Sequence, residues 1–317
     1  MTTPNRSLIE KADLEVADLI ADGGYLPEER AQQFLVDVVA EAKFLPLIDV
    51  QTMKSHTKVI DKIGITGHVL RPGVSGQALA AGDRIKPTTD HVTLTSVLCK
   101  AEIRLNDEDL EDNIEQGTLI QTCMSMLQAK AAVDLDDMAI NGDTTSADPL
   151  LALFDGASKL AVSHTVDFNT LPISKTRLTD MRKAMPKQYN RFKGNFAFLT
   201  GDLAELQYRD ELSDRVGGYG DTVLNSMEPL KPLGVPMIPI NGFSDTKNAF
   251  PGGVAANCSD IFLMDPKMAV FGFYRKIKIA TDQDIVAGEW ICVASLRCGF
   301  VFKEEDAVVK GYNIQVR

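Results

Sequence analysis

The sequence predicts an α+β fold, on three observations. Ile120, Met124, Leu127, Ala131, Leu135 and Met138 recur at helical spacing over 115–141, with no proline to interrupt them. Strand and helix patterns then succeed one another between about 160 and 285, and period-two alternation dominates from 260 to the end. The long helix of about 24 residues would span roughly 36 Å at 1.5 Å per residue. That is about twice the mean globular helix, so the other elements are expected to be arranged along it.

In chain order, Ser7-x-x-Glu10 forms a capping box, and Ile9, Ala12, Val16 and Leu19 share one helical face until Gly23-Gly24. Residues 1–26 therefore read as a separable N-terminal arm. Pro27 opens a second helix with Glu28 and Glu29 in its first turn and an apolar face of Phe34, Leu35, Val38, Val39 and Ala42. Pro46 ends it, and residues 47–52 read as a short strand. Residues 54–90 are rich in glycine and poor in large apolar side chains, so this segment cannot supply its own core. Alternation through Lys58, Ile60, Lys62 and then Val69 predicts a two-stranded ribbon with a tip at 72–76. An isolated hairpin is marginal in water, which predicts support from outside the subunit. The return limb from Val92 to Leu105 alternates as one strand.

Asn141-Gly142 is expected to end the long helix in the left-handed conformation. Leu150, Leu151, Leu153 and Phe154 then return to the core. Ser174 is expected to cap a helix that turns Leu178, Met181 and Met185 inward. Residues 196–200 read as a buried strand, and Asp202-x-x-Glu205 as the cap of the helix 203–212. Later strands are expected at 261–264, 270–274, 276–281, 289–301 and 308–316.

With 317 residues, 44% apolar and 24% charged, the chain has the composition of an ordinary folded protein. No apolar run reaches the 18 or so residues of a membrane span, and the N-terminus lacks a signal-peptide pattern; a soluble protein made in a cytoplasm is expected. The five cysteines, Cys99, Cys123, Cys258, Cys292 and Cys298, show no C-x-x-C spacing and read as small buried hydrophobes, not as a disulfide framework or zinc site. The net charge of -11 opposes tight wrapping of a polyanion. Its distribution is uneven. Residues 51–100 carry 7 Lys/Arg against 3 Asp/Glu, whereas 101–150 carry 2 against 12. Such a contrast suits contact between copies, although solvated faces of a monomer would show it too.

No catalytic constellation emerges. His56, His68, His91 and His164 are scattered, with no partner at ligand spacing. Asp134, Asp136 and Asp137 resemble a metal cluster until placed on the helix, where they read instead as an exposed acidic face. Gly217-Gly218-Tyr219-Gly220 matches neither a P-loop nor G-x-G-x-x-G, and G-x-S-x-G is absent. No catalytic, cofactor or metal residues are assigned.

The order of these parts resembles the major capsid proteins of tailed bacteriophages with the Hong Kong 97-type fold. The resemblance runs from about Pro27 almost to the end. It rests on the helix followed by the extended loop, the acidic entry at 106–115, and the spine helix closing in Ala139-Ile140-Asn141-Gly142-Asp143. It continues through the strand and helix at 196–212, the Leu233-Gly234-Val235-Pro236 turn and the late strands from Asp260 to Val309. Each motif is weak alone, but their order over some 290 residues is specific.

The resemblance implies a peripheral domain (27–53 and 91–160) on the spine helix, an extended loop (54–90), an axial domain (161–285) and C-terminal strands (286–317) returning to the peripheral domain. It implies a structural protein and no enzyme, assembling through hexamers and pentamers into an icosahedral shell around double-stranded DNA that it does not read by sequence. The expected place is the virion, after assembly in the host cytoplasm and away from membranes. Scaffolding, portal and decoration proteins are the further partners implied. The short stretch before the first matched helix points to a separate scaffolding protein or none. Some relatives cross-link Lys to Asn, for which Lys54, Lys58, Lys62 and Lys86 are candidates by location only. Two alternatives stay open: an encapsulin-like nanocompartment shell, and an α/β enzyme holding a phosphate at 217–221.

Overall fold

The long helix is the element on which both sheets converge. The computed structural model describes residues 42–64, 69–73, 75–80, 82, 84–106, 119–189, 195–213, 229–245, 247, 257–284 and 287–316. The sequence readings for the N-terminal arm and second helix, for His68, for the acidic residues 107–115 and for the 217–221 loop lie outside these residues. Helix α1 runs Leu119–Asn141. Its stripe works as the spacing predicts from Leu127 onward: Leu127, Leu135 and Met138 are buried, joined by Ala132, Ala139 and Ile140.

A four-stranded sheet lies against this helix in the order β1-β9-β10-β4. Its strands are β1 (Asp49–Met53), β4 (Val97–Asn106), β9 (Ala269–Asp284) and β10 (Glu289–Phe302). Strand β1 pairs parallel to β9, and the other neighbours are antiparallel. A five-stranded sheet has the order β5-β11-β8-β6-β7. It comprises β5 (Thr165–Asp167), β6 (Ala197–Thr200), β7 (Met237–Pro239), β8 (Cys258–Met264) and β11 (Val309–Gln315).

Strands β6 and β8 are buried on both faces, and each face feeds a different core. Leu199, Phe262 and Met264 join the α1 core, whereas Phe198, Ile261 and Leu263 pack with Leu178 and Met181 of α3 (Lys175–Ala184) and Tyr208 and Leu212 of α4 (Asp202–Ser213). Period-two alternation therefore serves two cores from one strand. Strand membership also cuts across the linear segmentation. Strand β9, placed by number within 161–285, pairs in the α1 sheet, while β11, placed within 286–317, completes the five-stranded sheet.

Local chemistry departs from expectation at three ends. Gly142 does not take the left-handed conformation; its amide still bonds Met138 O at 3.0 Å. Glycine is required there by close approach, because a Cβ would stand 2.4 Å from Phe154 O. Ser174 occupies the N-cap position of α3 without a side-chain cap bond. Asp202 is the first residue of α4, not its cap, and Glu205 pairs Arg209 one turn on at 2.7 Å.

The ribbon forms as predicted, β2 (Thr57–Gly64) pairing antiparallel with β3 (Thr88–Thr95) in an unbroken eight-residue register. The return limb is two strands, not one. It breaks at Ser96, whose amide and hydroxyl both donate to His56 O at 3.0 Å.

Candidate assembly surfaces

The ribbon has two unlike faces because its alternation splits its apolar residues between them. Ile60 packs onto a small core of Met53, Leu94 and Val270, with Tyr274 and Val301 alongside. Val59 and Ile63 point the other way and are 53% and 77% exposed. Towards the tip, Val69 and Leu70 are exposed, Leu70 at 91%. The seat of the ribbon is thus internal, contrary to the expectation that the whole hairpin needs outside support.

Polar groups fix that seat. Ser96 gives its hydroxyl proton to His56 O, so its oxygen accepts from His56 Nδ1 at 2.8 Å, and the His56 ring lies 6.2 Å from Tyr274. Lys58 Nζ donates to Gln51 Oε1 at 2.7 Å, and Lys62 Nζ pairs with Glu304 at 3.4 Å. These two lysines, candidates by location for reaching a neighbour, face their own subunit. Strand β10 admits the turn after β3 through Gly299, where a Cβ would stand 2.1 Å from Thr95 O.

Asp134, Asp136 and Asp137 are not one acidic face. Asp134 pairs Lys130 at 2.8 Å, and Asp137 accepts from Asn141 Nδ2 at 2.6 Å. Asp136 is only 5% exposed and accepts from the backbone amides of Lys43, Phe44 and Leu45 at 2.6, 3.0 and 3.1 Å. Burial pushes its carboxyl above the ordinary range, against the pull of those three amides. Its role is to pin residues 43–45 to the spine helix. The sequence signal was faint: Ala132 and Ile140, one turn to either side of Asp136 on the same face, are both apolar and both buried.

A second buried carboxylate ties the segment after α1 to the five-stranded sheet. Asp260 on β8 accepts from Ser158 Oγ at 2.5 Å and Lys247 Nζ at 2.7 Å, with Lys310 Nζ at 3.7 Å. Ser158 lies on the short helix α2 (Ala157–Leu160), and Lys310 also donates to Ser158 O at 2.8 Å. Burial alone would raise Asp260; the two ammonium groups outweigh it and hold the carboxyl below its usual range. This cluster lines a cavity of about 620 Å³ with Asn141 and Tyr312. Its charged groups are spent on one another, as structural ion pairs are.

His56 and His91 lie at the base and along the edge of the ribbon, and His164 precedes β5. Among the described residues no three His, Cys, Asp or Glu side chains gather as a metal site. Nor is any described helix long and apolar enough to cross a membrane.

A long spine helix against a four-stranded sheet, a second sheet covered by two helices, and a projecting ribbon together define a protein of the Hong Kong 97-type fold. The satellite phage P4 procapsid with its size determination protein superposes with a TM-score of 0.62 at 10% identity, covering 90% of this chain and 99% of that chain. The holo-SrpI encapsulin complex from Synechococcus elongatus PCC 7942 superposes at 0.56 and 11%, covering 99% and 97%. At such identities the likeness is one of fold. No family model matches the chain. The prophage capsid protein YqbE of Bacillus subtilis (strain 168) is 34% identical over 308 residues, 96% of this chain and 97% of that protein. The chain belongs to the phage capsid proteins of this fold.

Proposed function

We propose that this protein is the major capsid protein of a tailed phage or prophage, and that copies assemble through hexamers and pentamers into an icosahedral shell around double-stranded DNA. The observation that carries the reading is the divided ribbon: one face seated on its own subunit, the other presenting Val59 and Ile63 to solvent. Exposed β-branched residues on a two-stranded ribbon are a surface made to be covered. In this reading 54–90 lies across a neighbour, 27–53 and 91–160 form the peripheral domain and most of 161–285 the axial domain. Residues 1–26 act as an arm and the role is structural, not enzymatic. Scaffolding, portal and decoration proteins are its other partners, and the virion its destination after assembly in the host cytoplasm.

Substitution of Ile63 by Asp tests this. Because the side chain touches little within the subunit, the unassembled protein should keep its melting temperature while the yield of closed particles falls. Normal particle yield with Ile63→Asp would remove the ribbon's outer face from the assembly contact. The prophage capsid relative at 34% identity favours a virion shell over an encapsulin-like compartment.

A further inference from the structure

We propose that Cys99 and Cys298 are a redox-responsive pair that closes into a disulfide joining β4 to β10. The two residues are 199 positions apart in sequence, yet their Sγ atoms stand 3.5 Å apart. The register explains the meeting. Val97 faces Cys298 and Leu296 faces Cys99, so the cysteines are diagonal neighbours on one face of an antiparallel ladder. That face packs against the α1 core, where Cys298 is fully buried and Cys99 half-buried.

The asymmetry assigns each sulfur a part. Cys99 is the one an external oxidant can reach, and the Cys298 thiol beside it favours the Cys99 thiolate, lowering its pKa. Cys298 is pushed the opposite way by donating to Cys99 and by burial. With a small disulfide such as oxidised glutathione, the Cys99 thiolate attacks one sulfur, forms a mixed disulfide and expels one thiolate. Cys298 then gives up its proton and its sulfur attacks Cys99 Sγ, expelling the second thiolate. Two protein thiols and one small disulfide become one protein disulfide and two small thiols, two electrons passing from protein to oxidant. The sulfurs must close by about 1.5 Å to reach bonding distance, and since diagonal neighbours on a ladder lie about 7–8 Å apart, β4 and β10 must draw together slightly as the two χ1 angles change. Resting on the capsid reading, the pair would stay reduced in the host cytoplasm and close after release into an oxidising medium.

The test uses the full-length protein, and assembled particles where they form, held at pH 8 in dithiothreitol or in oxidised glutathione. Each sample is alkylated under denaturing conditions and mapped by mass spectrometry. We expect glutathione to produce a linked pair of peptides containing Cys99 and Cys298, at least tenfold more abundant than any other cysteine pair and reversed by dithiothreitol. The melting temperature should rise by several degrees on oxidation in the wild type, but not in Cys99→Ser. If Cys298→Ser fails to fold, Cys298→Ala serves in its place, and Cys99 should then stop at a stable glutathione adduct. Folded wild-type protein that carries glutathione on Cys99 without forming the link, or that links other cysteines instead, would overturn the proposal.

Discussion

Removing the Asp136 carboxylate should be among the most damaging single changes in the spine helix. The carboxylate is 5% exposed and is the acceptor for three consecutive amides, Lys43, Phe44 and Leu45, just ahead of β1. Phe44 and Leu45, fully buried beside it, depend on that anchor for their position. A buried donor left without an acceptor costs about 1–3 kcal/mol. Three such donors would sum to more, but the variant no longer buries a charge and water can enter a trimmed site. Asp136→Ala should therefore cost about 3–5 kcal/mol, a large part of a typical stability of about 5–15 kcal/mol. Asp136→Asn keeps the shape and one acceptor but brings an NH₂ against amide donors, and should cost about 1–3 kcal/mol.

The pH dependence separates this from simple loss of packing. Asp136 has a folded pKa above its unfolded value, so its contribution is full below about pH 4 and declines as pH rises through the raised folded value. Denaturant melts of the unassembled wild type and Asp136→Asn across pH 4–8 should show that decline in the wild type and a flatter profile in the variant. An Asp136→Ala protein that melts like wild type would show that the three amides do not depend on this carboxylate.

Three other outcomes are expected. Leu127→Ala should cost about 2–5 kcal/mol, because Leu127 is buried against the core; unchanged melting would mean that the stripe is not packed there. Asp260→Asn leaves Lys247 and Lys310 without their counter-charge and should cost about 3–5 kcal/mol. Since the folded Asp260 pKa is depressed, its contribution is present above about pH 4 and lost as pH falls through the folded value. Chemical melts from pH 7 to pH 3 should thus show an acid-side loss in the wild type that the variant lacks. Lys62→Glu places two carboxylates together at Glu304, so the part of the ribbon where Lys62 faces Asp90 should exchange its amides faster in the unassembled protein. The stability change should be only about 0–1 kcal/mol, and Glu304→Lys should restore protection.

What could be read from the sequence was whatever repeats locally. The Leu127, Leu135 and Met138 stripe and the β2–β3 alternation follow from periods of 3.6 and 2, and the buried 197–200 strand from a short apolar run, none of which needs knowledge of distant neighbours. What escaped depends on contacts across long separations. Asp136 looked like one of three solvated carboxylates because its partners lie about 92 residues upstream. Gly142 looked like a left-handed cap, but the backbone of Phe154 crowds it. Cys99 and Cys298 looked like unrelated small hydrophobes until the β4–β10 register set them side by side. Lys58 and Lys62 were legible as ribbon residues, but not as ones that turn back to Gln51 and Glu304, since alternation says which residues share a face and not which face is covered.

The most direct test of the capsid reading is electron microscopy of the full-length protein at assembly concentrations, taken to a resolution that traces β2 and β3. Closed shells are expected, in which each ribbon lies across an adjacent subunit with Val59 and Ile63 in the contact. Shells whose ribbons project freely into solvent, or a protein that stays unassembled across a full range of protein and salt concentrations, would contradict the capsid reading.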